Sequence, residues 1–176
     1  MGRDWNARYA DPEYTESAPD ALLIGLAEHL PAGRALDLAC GAGRHAIHLA
    51  RLGWRVTAVD AAAAAIERLR RATPGVDARV ADLERGEFAI EPAGFDLICD
   101  FYYLQRNLFP AIREGVRPGG TFAGAIHLLE PGHSPRFSLP PGHLREEFAG
   151  WKVLYYSEGA EPGRTRRSAR IIARRA

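Results

Sequence analysis

Residues 36–60 read LDLACGAGRHAIHLARLGWRVTAVD, two apolar runs bracketing a segment with helical spacing. Ala35 to Cys40 is expected to form a strand, Gly41-Ala42-Gly43 a tight turn, and Arg44 to about Leu52 a helix stopped by Gly53. Arg55 to Asp60 (RVTAVD) then makes a second strand. The same rhythm continues downstream. AAAAAIERLRRAT (61–73) carries almost no helix-propensity penalty in its alanines and ends before Pro74-Gly75, and Val76 to Leu83 is a third strand. Phe95 to Phe101 (FDLICDF) is nearly continuous in apolar residues, as a parallel strand covered on both faces must be. Asn107 to Val116 reads as a helix broken by Pro118-Gly119-Gly120, and Thr121 to Leu128 as a fifth strand.

Glu130 to Pro141 (EPGHSPRFSLPP) has no periodicity and reads as a functional loop on the substrate side. Gly142 to Phe148 suggests a short helix. Trp151–Ser157 and Arg167–Ala173 suggest two strands joined by a turn around Glu161-Pro162-Gly163. Upstream, residues 1–30 form an extension with one amphipathic helix, Pro19 to Leu30, whose Leu22, Leu23, Leu26 and Leu30 share a face. The expectation is an α/β chain, a doubly wound, mostly parallel seven-stranded sheet with helices on both faces, in one domain over residues 1–176.

Composition narrows the function classes. The chain has 176 residues, 47% of them hydrophobic and 26% charged, in the range of ordinary globular domains. With 23 basic against 22 acidic side chains the net charge is +1, which removes the usual electrostatic footprint of nucleic-acid binding. Cys40 and Cys99 sit in apolar runs without a CxxC pair, so neither a disulfide framework nor a metal site is expected. No apolar stretch approaches the roughly 20 residues of a membrane span, and the polar start argues against a signal peptide. A cytoplasmic protein with no membrane partner is the expectation.

The glycine turn carries the chemistry. A glycine pair between a strand and a helix lets backbone approach a ligand closely, while the helix offers unpaired N–H groups. Gly41-x-Gly43-x-x-Ala46 fits the dinucleotide pattern, and Asp60 lies near where such a fold places its ribose-binding acid. A nicotinamide-dependent oxidoreductase is therefore one reading. Asp37 argues against it, because a pyrophosphate is repelled by a nearby carboxylate whereas a cationic ligand is attracted. S-adenosylmethionine carries a sulfonium and an ammonium and no phosphate, which makes chemical sense of Asp37, Asp60 and Asp82 together.

In ordered combination these segments resemble the class I S-adenosylmethionine-dependent methyltransferases over nearly the whole chain. The matching pieces are residues 36–60, the pair Asp82-Leu83, and FDLICDFYYLQRNLFPAIREGVRPGG (95–120). WNARY (5–9), FYYLQRNLFP (101–110) and PRFSLPPGHLREEFAGWKVLYYSEG (135–159) are most similar to the small bacterial tellurite-resistance type. The resemblance implies S-adenosylmethionine as cofactor and S-adenosylhomocysteine as product. It further implies that Asp37 orients the methionine ammonium and that the backbone of Ala39, Cys40, Gly41 and Gly43 lines the methionine moiety. Asp60, with Ala61 beside it, would take the ribose hydroxyls, and Asp82 would meet the adenine amino group next to Leu83. Asp100 and Phe101 would complete the cofactor lining, and Tyr14 would close over it. Ala61 and Ala62 stand where the family often has a hydroxyl residue, so the helix after Asp60 is expected to be weakly capped.

Methyl transfer from a sulfonium is an in-line displacement that depends mainly on alignment, with a proton to remove when the acceptor is an oxygen or nitrogen. The acceptor-side candidates are His127, Tyr102 and Arg106, with Asp100, Tyr103, His133 and Arg136 around them. Plainer roles stand beside these. The three acids can cap helices or turns, the cysteines can be core residues, and His29, His45 and His48 can be packing or helix-surface residues. RTRRSARIIARR (164–175) can be the outer face of an edge strand. The expected activity is methylation of a small-molecule acceptor, the other reading being a non-catalytic S-adenosylmethionine-binding protein.

Overall fold

The computed structural model describes residues 4–15, 17–161 and 165–176. In chain order the elements are α1 (Trp5–Ala10), α2 (Ala21–Ala27), β1 (Arg34–Leu38), α3 (Arg44–Arg51), β2 (Arg55–Asp60), α4 (Ala63–Ala72) and β3 (Asp77–Val80). They continue with β4 (Phe95–Phe101), α5 (Phe109–Gly115), β5 (Val116–His127), α6 (His143–Glu147), β6 (Lys152–Gly159) and β7 (Ser168–Arg174). The strands form one seven-stranded sheet in the order β3-β2-β1-β4-β5-β7-β6. The β1/β2, β2/β3 and β4/β5 pairs are parallel, while β7 runs antiparallel to both β5 and β6. Strand order reverses after β3, as in a doubly wound sheet. Among the described residues no helix is long and apolar enough to cross a membrane.

Contacts group the chain into two compact units, residues up to Ala89 and those from Ile90 onward. In the first, Leu36, Ala58, Val59, Ala46, Leu49, Ile66 and Leu69 are fully buried. The helical members recur at spacings of three, Ala46 to Leu49 and Ile66 to Leu69, which places each pair on one face. Burying one leucine such as Leu69 contributes roughly 1.5–3 kcal/mol. In the second unit Phe148 stacks on Phe122 at 4.3 Å between centroids and meets Phe109 and Trp151 edge-on at 6.1 and 5.3 Å. This cluster fixes α6, a helix too short to persist without tertiary contacts.

Several boundaries differ from expectation for identifiable reasons. The N-terminal extension holds two helices, because α1 precedes α2 and starts where the Ala7 N–H donates to Asp4 Oδ1 at 3.0 Å. β1 ends at Leu38 because Ala39 turns to φ +49°. α4 begins at Ala63, two residues late, since Asp60 Oδ1 has already taken the Ala62 N–H. Pro110 confines α5 to Phe109–Gly115, with a 3₁₀ turn before it. β5 runs through Pro118-Gly119-Gly120 rather than starting after it. Its register with β4 shifts between Phe95↔Val116 and Leu97↔Thr121, and Arg175 pairs with Gly119 and Gly120 at 3.0 and 2.9 Å. The arginine-rich end is not an edge strand: β7 lies between β5 and β6, and β6 is the edge. The turn expected at Pro162-Gly163 lies outside the described residues.

Candidate functional site

In the first unit the site is built around the turn after β1. Ala39, Gly41 and Gly43 all have positive φ, at +49°, +57° and +91°. Both glycines are also held against side chains: a methyl group at Gly41 would run into the Tyr9 hydroxyl, and one at Gly43 into Leu69. The turn is closed by the Cys40 N–H donating to Val59 O and the Gly43 N–H to Cys40 O, each at 3.0 Å. Cys40 is buried and its thiol reaches Gly41 O at 3.4 Å, so it serves packing.

Gly43 is the N-cap of α3 and has no side chain to offer the helix. Asp37 fills the gap, accepting from the Ala46 N–H at 3.1 Å through Oδ2, with His45 Nδ1 4.0 Å from Oδ1. A carboxylate at the positive end of α3 is electrostatically favoured, and Asp37 is only 1% exposed. Its capping role is therefore realised, while its negative charge stays beneath the turn.

At the end of β2, Asp60 joins the turn to α4. Oδ2 accepts from the Gly41 N–H and Oδ1 from the Ala62 N–H, both at 2.8 Å. Burial pushes its carboxyl above the ordinary range, and the two backbone donors pull only partly the other way. Each oxygen retains a further acceptor position. Ala61 beside it is exposed.

Asp82 follows β3 in a turn, where Oδ1 accepts from the Glu84 N–H at 2.9 Å and Arg85 lies 3.5 Å from Oδ2. Leu83 is buried next to it. Tyr14 is edge-on to Tyr9 at 5.0 Å, with Arg68 and Arg8 at 5.3 and 5.8 Å from its ring. Tyr9 is thus the aromatic residue that meets the turn. The extension is tied further by Arg44 Nη1 donating to Ser17 Oγ at 3.0 Å.

The second unit gathers the acceptor-side candidates. Asp100 is inside β4 and 2% exposed, and Phe101 is buried at the strand's end. Tyr102 follows with φ +68°, an uncommon conformation for a bulky residue that often accompanies a functional site. Its N–H donates to Ala125 O at 2.6 Å, its hydroxyl to Glu161 Oε2 at 3.0 Å, and its ring lies 5.2 Å from that of His127. Glu161 also pairs with Arg170 at 3.5 Å, with both side chains largely buried.

Tyr103 is turned to Gln105, donating at 2.6 Å. Arg106 donates to Pro135 O and Ser138 O, each at 2.8 Å, so its guanidinium holds the 130–141 loop. Arg166 adds a bond to Ser138 Oγ at 2.9 Å, and Leu139 bonds His127 O at 2.9 Å. In the loop, His133 lies 3.8 Å from Glu130, and the Arg136 guanidinium is 5.3 Å from the Phe137 ring.

Tyr102 and His127 are thus brought together, while Arg106 is turned to the loop. Sequence reasoning missed Tyr9, Asn6 and Glu161. Tyr9 and Asn6 lay in view within WNARY, but nothing in the residues next to Glu161 signals a carboxylate that pairs with Tyr102 and Arg170.

Residues 35–120 match the family described as the methyltransferase domain. Over these residues the chain is similar to methyltransferase domains. It is 24% identical over 171 residues to the probable S-adenosyl-L-methionine-dependent methyltransferase TehB of Haemophilus influenzae, covering 85% of this chain and 57% of that protein. The crystal structure of that TehB superposes with a TM-score of 0.77 at 20% identity, over 97% of this chain and 67% of the other. A protein named hemagglutinin 1 from Eikenella corrodens is 30% identical over 145 residues, covering 71% of this chain and 46% of its own length. A second fold relative is 1,6-didemethyltoxoflavin-N1-methyltransferase from Burkholderia thailandensis, whose structure contains 1,6-didemethyltoxoflavin and S-adenosylhomocysteine. Its TM-score is 0.67 at 20% identity, over 88% of this chain and 76% of that one. The chain spans about half the length of the curated relatives it matches.

The turn after β1 fits the cofactor that this similarity implies, S-adenosylmethionine. A side chain at Gly41 would collide with Tyr9, so the turn presents bare backbone there, and the Asp60 carboxylate beside it has acceptor capacity to spare.

Proposed function

We propose that this chain transfers a methyl group from S-adenosylmethionine to a small-molecule acceptor, and that residues 1–176 act as one catalytic domain. The observation carrying the proposal is Asp60, a carboxylate bonded to Gly41 N–H and Ala62 N–H beside a bare-backbone turn. In this reading Asp60 takes the ribose hydroxyls, the Ala39–Gly43 backbone lines the methionine portion, and Asp37 supplies negative charge near the ammonium. Asp82, Leu83 and Ala61 border the adenosine side, and Tyr9 and Tyr14 form an aromatic wall. Bound there, the cofactor supplies an electrophilic methyl group on a sulfonium.

The chain's remaining work is done by groups of the second unit. Tyr102, its hydroxyl bonded to Glu161, can accept a proton from a hydroxyl or amine acceptor and pass it to the Glu161 carboxylate. His127 flanks the Tyr102 ring and Arg170 keeps Glu161 in place. Arg106 acts through the loop it holds. The small-molecule reading is supported by how the C-terminal arginines are used: Arg166, Arg170 and Arg175 bind Ser138, Glu161 and the carbonyls of Arg113 and Glu114. Those cations are committed inside the fold instead of forming a platform for a polyanion.

The test is a thermal-shift comparison with S-adenosylmethionine, S-adenosylhomocysteine and NAD, followed by a screen of acceptors for S-adenosylhomocysteine release. A ligand that binds the folded state at a hundred times its Kd adds about 2.7 kcal/mol. Stabilisation by the first two ligands, together with turnover on any small acceptor, is the expected result. Stabilisation by NAD alone refutes the proposal.

A further inference from the structure

The N-terminus of α4 lacks a cap of its own. Its N-cap residue is Ala62, which has no side-chain acceptor, and Ala63, Ala64 and Ala65 follow. The Ala64 N–H is satisfied from a distance, donating to Asn6 Oδ1 of α1 at 3.0 Å across 58 residues of chain. α1 has six residues and buries none of them, far short of the roughly 12–15 residues at which an isolated helix begins to hold in water. What fixes α1 is therefore its docking on α4. Besides the Asn6 bond, Arg68 of α4 donates to Tyr9 O and Asp11 O, each at 2.5 Å.

These bonds close a ring. Asn6 and Tyr9 are three residues apart and thus neighbours on the α1 surface. The Tyr9 phenol lies against Gly41, the Gly41 N–H donates to Asp60, Asp60 accepts the Ala62 N–H, and Ala62 opens the helix that Asn6 caps. We propose that Asn6 is a positioning residue of the cofactor site, which by capping α4 from α1 seats Tyr9 on the Gly41 turn. The proposal rests on the cofactor reading above. A local serine or aspartate at the helix start would satisfy the same N–H without bringing an aromatic wall to the turn. Borrowing the cap from α1 couples the two.

The test separates capping from positioning, using calorimetric S-adenosylhomocysteine affinity, melting of the ligand-free protein, and amide exchange over residues 5–10. Asn6→Ala should weaken S-adenosylhomocysteine by about three- to tenfold, the range a lost cap allows, and should lose protection in α1. Asn6→Asp keeps the acceptor and should bind like wild type. Adding Ala62→Ser to Asn6→Ala gives α4 a cap of its own, and should recover melting temperature but not affinity. Tyr9→Ala leaves the cap intact and should weaken binding at least as much as Asn6→Ala.

Wild-type affinity in Asn6→Ala, or recovery of affinity with stability in the double variant, overturns the proposal. If the wild type itself does not bind S-adenosylhomocysteine, the cofactor reading falls and this proposal with it, a result distinct from a binding wild type and an equally binding variant.

Discussion

Substituting Asp60 by asparagine separates the charge of the site from its shape. In the native chain the two carboxylate oxygens each accept one backbone N–H at 2.8 Å. An asparagine oxygen can keep one of these bonds, while its NH₂ group must face the other donor, forfeiting a charge-assisted bond of about 1.5–3 kcal/mol. Part of that loss is offset, because burial already opposes the ionised carboxylate, as its raised pKa indicates. A net loss of about 1 kcal/mol, or a melting temperature lower by ~2–4 °C in a domain of this size, is expected at neutral pH.

Affinity should fall further. Two ribose hydroxyls call for two acceptor oxygens, and losing one charged acceptor should weaken S-adenosylhomocysteine by about 10- to 100-fold. The pH dependence fixes the sign. With the folded pKa above the unfolded one, the native protein binds more protons than the unfolded chain in the window between them, so wild-type stability rises as pH falls through the folded value. The asparagine variant lacks that gain, and the stability gap should widen toward acid. Melting scans from neutral to mildly acidic pH, with calorimetry at neutral pH, measure both effects. Unchanged affinity, or a gap that narrows toward acid, would refute the reasoning.

The other predictions concern the turn, the core and the acceptor side. Gly43→Ala combines a φ of +91° with a collision against buried Leu69, whereas Gly86→Ala at φ +70° meets nothing within 4 Å. Denaturant melts should give about 1–2 kcal/mol for Gly86→Ala and ~1–3 kcal/mol more for Gly43→Ala. Phe148→Ala empties the space against Phe122, Phe109 and Trp151 and should cost about 3–5 kcal/mol in the same measurement. Tyr102→Phe removes the hydroxyl bonded to Glu161. It should lower the melting temperature by ~2–4 °C and leave S-adenosylhomocysteine affinity unchanged in calorimetry. Turnover of a proton-bearing acceptor should drop by about 10²-fold.

How much was legible in advance follows the range of the interactions concerned. β2 and β4 have the bounds read from their apolar runs, because a parallel strand buried on both faces shows its identity locally. The glycine turn and Asp60 were legible for the same reason: a positive-φ turn and the acid of the next strand lie within one short stretch. What was not legible depends on partners far along the chain. Pro118-Gly119-Gly120 has every mark of a break, yet β5 includes it because Arg175 pairs with its backbone. α1 lacks an apolar stripe and exists through Asn6 and Arg68. Asp37 illustrates a side chain whose plainer alternative is real, since it caps α3 whatever else it does.

The same distinction separates the proposed cofactor groups from the proposed acceptor-side groups. The proposed cofactor groups Asp37, Gly41, Gly43 and Asp60 come from neighbouring positions inside the segment that matches the methyltransferase-domain family. Of the acceptor-side cluster, Tyr102 lies in that segment, but His127, Glu161 and Arg170 lie beyond it and meet only through β5, β7 and the loop before β7. Loops and strand ends of this kind can change without disturbing the sheet. Family resemblance therefore speaks strongly about the methyl donor and hardly at all about the acceptor. In this chain the acceptor should be selected by the polarity of Tyr102 and Glu161 and by the loop that Arg106 and Arg166 hold, and substitutions there should alter acceptor preference while leaving S-adenosylhomocysteine affinity intact.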